Sequence, residues 1–155
     1  MALPYSRRSE MLVLGTMLTK TSELETAVKA LDESSFYCQE HQLIFNTLKS
    51  LHKQGTSGNV FIVTDELKKQ NKLVTIGVSD YLEMLTQYCD AFDDTEEHIQ
   101  DLKKYAQLRQ LILVAQEAIE LTFDLIEIMA KSETKMDFDL FKKLFFTSEH
   151  KTTSS

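Results

Sequence analysis

Proline occurs once, at Pro4, and glycine four times in 155 residues. A many-stranded sheet needs turn residues between its strands, so a chain this poor in them points to helices. Cysteine occurs twice, as Cys38 and Cys89, without a CxxC spacing, and no disulfide framework follows from such a pair. No uninterrupted apolar run approaches the roughly 18 residues that a membrane-spanning helix needs. The opening MALPYSRRSE has the pattern of neither a signal peptide nor an anchor. A reducing compartment, most simply the cytoplasm, is expected, with no membrane partner.

A basic surplus is missing too. Seventeen Lys and Arg stand against 24 Asp and Glu, a net charge of −7. Non-specific binding to nucleic acid rests on neutralising phosphates, and this balance has the wrong sign for it. The pairs Arg7-Arg8, Lys68-Lys69, Lys103-Lys104 and Lys142-Lys143 read as solvated helix faces. A phosphate-binding loop is also absent. Gly55 to Asn59 reads GTSGN, with no Lys-Ser or Lys-Thr at the spacing that GxxxxGK[ST] requires. Neither ATP hydrolysis nor DNA unwinding is expected of this chain.

What is present is helical periodicity, in a chain long enough for one domain with a real core. The stretch that organises the rest is Ser34 to Gly55. After Phe36 and Tyr37, the residues His41, Ile44, Phe45, Leu48, Leu51 and His52 recur at spacings of three and four, one stripe of a helix. Gly55 stands where a left-handed cap is wanted. Before it, Pro4 ends an extended arm over residues 1–5, and Ser6 caps a first helix reaching Lys20, buried through Met11, Leu14, Met17 and Leu18. Gly15 inside that helix implies close packing against another one. Ser22-Glu23-Leu24-Glu25 reads as a capping box for a second helix with Leu24, Ala27, Val28 and Leu31 inward. Val60 to Val63 reads as an extended connector, Thr64 as the cap of a helix to Gln70, and Ser79 as the cap of another that turns Tyr81, Leu82, Leu85 and Cys89 inward.

A long helix then starts at the acidic run Asp93 to Glu97, favourable against its dipole. Its apolar series passes through Ile99, Leu102, Ala106, Leu108, Ile112, Ala115, Ile119, Phe123 and Ile126 without Pro or Gly. So long a helix either bends back near Thr122 to Asp124 or projects and needs a partner. A last helix is expected over Met136 to Phe146, with Leu140, Phe141, Leu144 and Phe145 as its stripe. Residues 147–155 are expected to be disordered.

Chemistry is harder to find. Of His41, His52, His98 and His150, only His41 has a cysteine, Cys38, three residues away, and nothing near in sequence completes a four-ligand metal set. His41 reads as a hydrogen-bonded core or interface residue. Cys38 lacks any feature that would lower a thiol pKa. We assign no catalytic, cofactor or metal residues from sequence.

The motifs in order carry a resemblance. Pro4 is followed by Glu10-Met11-Leu12-Val13-Leu14-Gly15-Thr16-Met17-Leu18, then by Phe36-Tyr37, His41, Ile44-Phe45 and Leu51. Val63-Thr64 with Glu66-Leu67, Gly77 with Tyr81-Leu82, and Leu108-Arg109-Gln110-Leu111-Ile112 complete the series. From Leu3 to about Asp124 this pattern resembles the N-terminal domain of the DnaB-type replicative DNA helicases of bacteria. Val78 stands where that family has a second glycine, and Leu125-Ile126-Glu127-Ile128 replaces its Gly or Pro break after the long helix.

The resemblance implies an all-α fold: a compact multi-helix head with a long helix or helical hairpin. The domain plan is an arm (1–5), the helical domain with its long extension (6–130), and a linker-helix stub with a tail (131–155). It implies a collar or scaffold role, in which such domains pair within a hexameric helicase and receive primase or a loader in the primosome. The expected self-association or partner face is Leu108, Ile112, Ile119, Phe123 and Ile126. No cofactor is implied on this chain; ATP and Mg belong to the ATPase domain that such helicases carry beyond the linker. The alternative is a stand-alone regulatory adaptor that binds a helicase as a loader does, or that mimics the helicase-binding end of primase.

Overall fold

The stretch Glu10 to Leu18 has no polar face, and a helix apolar all round belongs in the interior. The computed structural model, which describes residues 2–70, 77–89, 94–132, 139 and 142–144, places it there. α1 (Arg7–Thr19) buries Ser9, Glu10 and every residue from Leu12 to Leu18. Ser6 caps it by accepting from the Ser9 amide at 3.2 Å. α1 packs on α2 (Thr21–Ala30), α3 (Gln39–Lys53) and α5 (Val78–Tyr88). α1 is the more fully buried of the two, and the head is arranged around α1 and α3 together. A side chain on Gly15 would stand 2.2 Å from the Leu85 carbonyl oxygen and 2.3 Å from Cys89 Sγ, so glycine is what lets α5 come this close.

α3 carries the stripe expected of it: His41, Ile44, Phe45, Leu48 and Leu51 are buried, His52 half-buried. It starts later than the periodicity suggests. Residues Glu33–Ser35 form a 3-10 turn capped by Asp32, and Phe36 and Tyr37 run extended into α3. Phe36 is buried there with its ring 4.9 Å from that of Phe45. The far end is a Schellman motif. Gly55, at φ +69°, donates to His52 O at 3.0 Å, and Thr56 donates to Leu51 O at 2.9 Å.

Local expectations are corrected at three helix starts. α2 begins at Thr21 with no side-chain cap, so the box at Ser22 does not form. α1 ends at Thr19, extended Lys20 serves as the joint, and Glu25 pairs with Lys29 at 2.7 Å instead of reaching back. Val60–Val63 is helical and not extended: α4 (Val60–Lys69) is capped by Asn59, which accepts from Ile62 N. The β-branched run is overruled because helix puts Val63, Thr64 and Leu67 on one buried face. In α5, Gly77 holds the capping position and Ser79 lies in the first turn.

α6 (Thr95–Ser132) runs without a break through Thr122 to Asp124. Its first turns complete the core of the head, where Ile99 and Leu102 join Leu14, Phe45, Leu48, Leu67, Leu82 and Leu85. The chain packs as two units, Met1–Arg109 and Gln110–Ser155. Within the second, the protected stripe of α6 is Val114, Ala118, Thr122, Leu125 and Met129, with Leu125 buried. Every regular element among the described residues is helical, as an all-α fold requires. The expected last helix over Met136 to Phe146, with its stripe at Leu140, Phe141 and Phe145, lies mostly outside the described residues, as does the tail. Lys142, Lys143 and Leu144 are helical and exposed.

Candidate functional site

Glu10 is an acid on an otherwise apolar helix, and it is 0% exposed. A carboxylate is tolerated there only if its oxygens are met by donors. Three residues at the start of α3 supply them. The Tyr37 amide donates to Oε1 at 2.6 Å, the Cys38 amide to Oε2 at 3.4 Å, and His41 Nδ1 to Oε2 at 2.5 Å. The other ring nitrogen, His41 Nε2, meets the Tyr81 hydroxyl of α5 at 2.7 Å. One network thus ties α1, α3 and α5 together. Burial alone would raise the Glu10 carboxyl; the hydrogen bonds from His41 and the Tyr37 amide, with the electrostatic pull of His41, hold it below its ordinary value.

His41 is the hydrogen-bonded core residue the sequence suggests. Its partner Glu10 was legible only as an acid three and four residues before Val13 and Leu14 on a buried face. The ligand atoms of Glu10, Cys38 and His41 lie within 4.8 Å of one another. The Glu10–His41 separation of 2.5 Å is nevertheless that of a hydrogen bond. Two ligands on one tetrahedral ion, each about 2.0–2.2 Å from it, stand farther apart. The Cys38 thiol is pushed up to about 11 by burial and by the neighbouring Glu10, which keeps it protonated and a poor nucleophile. The cluster ties α1, α3 and α5 together.

A second tie reaches the arm. Arg109, 7% exposed, donates to Pro4 O at 3.0 Å and to Ser34 O at 2.9 Å. Its guanidinium lies 5.7 Å from the centre of the Tyr37 ring, and Tyr37 stacks on Tyr5 at 4.4 Å.

The expected association residues are exposed for the most part. In the first unit Leu108 is 38% exposed. In the second, Ile119 is 56%, Phe123 67% and Ile126 49% exposed, while Ile112 is half-buried. Ile112, Ile119, Phe123 and Ile126 share one side of α6, and that side is not the protected one.

The sequence model of the DnaB-like helicase N terminal domain matches residues 2–104. The chain belongs to this family. Among curated relatives, the replicative DNA helicase DnaB of Treponema pallidum is 31% identical over 112 residues, covering 72% of this chain and 26% of its own length. The DnaB of Pasteurella multocida is 24% identical over 157 residues, 98% of this chain and 32% of its own. The chain thus spans about a quarter to a third of the length of these relatives. The crystal structure of the N-terminal domain of DnaB helicase from Mycobacterium tuberculosis superposes with a TM-score of 0.76 at 19% identity, covering 94% of this chain and 96% of that one. The fold is that of a DnaB N-terminal domain. The matched residues include α1 to α5 and the start of α6, but stop short of Ile112, Ile119, Phe123 and Ile126. No helix among the described residues is long and apolar enough to cross a membrane.

Proposed function

We propose that this chain works as the collar domain of a replicative DNA helicase, pairing with a second copy through the Ile112, Ile119, Phe123 and Ile126 side of α6. The observation that carries this is the exposure of Ile119, Phe123 and Ile126 in one apolar line on α6, with Glu120 and Glu127 only at its border. An apolar stripe is complementary to itself, and a two-fold contact places the same residues on both sides. Family membership supports primase or a loader as the further partners of the collar. In this reading residues 6–130 act as the pairing domain, and residues 131–155 act as linker stub and tail. The reading assigns no cofactor to this chain. ATP, Mg and unwinding belong to a separate ATPase domain, and the setting is the cytoplasm.

The test is sedimentation together with thermal melting. The unaltered chain should sediment as a dimer or larger, and Ile119→Glu should shift it to monomer with helicity and melting largely kept. A folded, concentration-independent monomer before and after the change would rule the pairing face out. Unfolding of the variant would place Ile119 in an intramolecular core, because an unpaired buried carboxylate is costly.

A further inference from the structure

α6 has a second exposed apolar side with a different character. Leu113 is 53%, Leu121 37% and Ile128 62% exposed. With Glu117 and Asp124 they fall four, four, three and four residues apart, which is one continuous stripe of a helix. Glu120 and Glu127 flank it, and all four acids are exposed. From Gln110 to Ala130 the sequence has four acids and no Lys or Arg. Lys131, just beyond, pairs with Glu127 at 3.1 Å. Glu117 and Asp124 lie on this face itself, and Glu120 and Glu127 lie between it and the Phe123 side, three residues before and four after Phe123.

We propose that the Leu113, Glu117, Leu121, Asp124 and Ile128 face is a second docking surface, and that its occupant is a cationic amphipathic helix of another protein. Three exposed aliphatic side chains at i, i+8 and i+15 span about 22 Å of helix, and they match the apolar ridge of an amphipathic helix at least that long. The acids beside them match Lys or Arg bordering that ridge, which gives register and on-rate more than raw affinity. A second copy of this chain does not fit, because pairing the face with itself sets acid against acid across the contact. The two exposed sides of α6 are thereby divided: the Phe123 side suits self-pairing and the acidic one suits a basic partner. This inference stands whether or not the Phe123 side pairs.

The full chain is titrated with a synthetic 18-residue helical peptide of Leu and Lys patterned for one apolar face, and with the same peptide carrying Glu for Lys. The Lys peptide should bind and weaken as salt rises, and the Glu peptide should bind at least tenfold more weakly. Glu117→Lys with Asp124→Lys should cost at least tenfold in affinity. The same change of charge on the head, Glu40→Lys with Glu83→Lys, should leave it within about twofold, which separates docking from attraction to an acidic protein. Circular dichroism checks that each variant is folded. If the lysine pair unfolds the helix, Glu117→Gln with Asp124→Asn takes its place with the same expectation. Phe123→Glu, which alters the other face, should not change peptide binding; if it does, the two faces are not separate and the proposal falls. Equal loss in the head variant, no loss in the face variant, or no binding of the Lys peptide would each overturn it. A change of oligomeric state in Leu121→Lys without loss of peptide binding would assign the face to a second copy.

Discussion

Glu10 and His41, 31 residues apart in sequence, meet at 2.5 Å where both side chains are 1% exposed. Removing one member leaves the other without its partner inside the core. Glu10→Ala strands His41 Nδ1 and the amides of Tyr37 and Cys38, and should cost about 3–5 kcal/mol. Urea unfolding at neutral pH measures it. A loss below about 1 kcal/mol would mean that water reaches the site.

The same pair makes stability depend on acid. The Glu10 carboxyl is held below its ordinary value in the folded chain, so the unfolded chain binds the extra proton and stability rises with pH. The contribution is complete above the ordinary value of 4.5 and is lost as pH falls through the lower folded value. Glu10→Gln should remove this part of the acid limb, and its unfolding free energy should fall less steeply below pH 4.5 than that of the unaltered chain. Parallel curves would assign the acid limb to other carboxylates.

Phe45, fully buried among Leu14, Leu48 and the Phe36 ring, should cost about 3–5 kcal/mol on truncation to Ala. A loss below about 1 kcal/mol would place α3 outside the core.

Gly15→Ala inverts the usual expectation for a helix interior, where Ala gains about 1 kcal/mol over Gly. Here the new methyl meets the Leu85 carbonyl and Cys89 Sγ, and the backbone carbonyl cannot swing away as a side chain can. Overpacking of this kind costs about 1–3 kcal/mol. Thermal melting should therefore fall, and a rise would show that α5 moves aside freely.

Arg109→Lys keeps the charge and loses the fork that reaches Pro4 O and Ser34 O together. The arm should loosen before the head does. Trypsin should cut at Arg7 and Arg8 faster than in the unaltered chain at a temperature where the rest of the head resists it. Unchanged cleavage would mean that the Tyr5–Tyr37 stack holds the arm by itself.

Much of this head is legible in the sequence because α3, α5 and the start of α6 each bury one stripe, and Gly55 marks its turn. Three features resist such reading, each for a physical reason. α1 has no stripe, so periodicity understates it; the lack of any polar face is the better signal that it sits at the centre. Val60 to Val63 follows burial by α3 and α5, which sequence propensity does not see. The pairing of Glu10 with His41 joins two helices through a contact that no spacing along the chain encodes. Phe36 and Tyr37 leave the helix register because Glu10, from a distant segment, takes up the Tyr37 amide that a helix would have bonded.

The want of Lys and Arg between Gln110 and Ala130 has a practical side. Trypsin leaves this segment whole, from Gln110 to Lys131, so both exposed faces of α6 travel in one peptide. Amine-reactive cross-linkers find nothing to attach to along it, and a map of contacts made with them would leave the richest surface of the chain blank. Carbodiimide coupling through Glu117, Glu120 and Asp124, or a photoreactive group placed at Leu121, would make it visible.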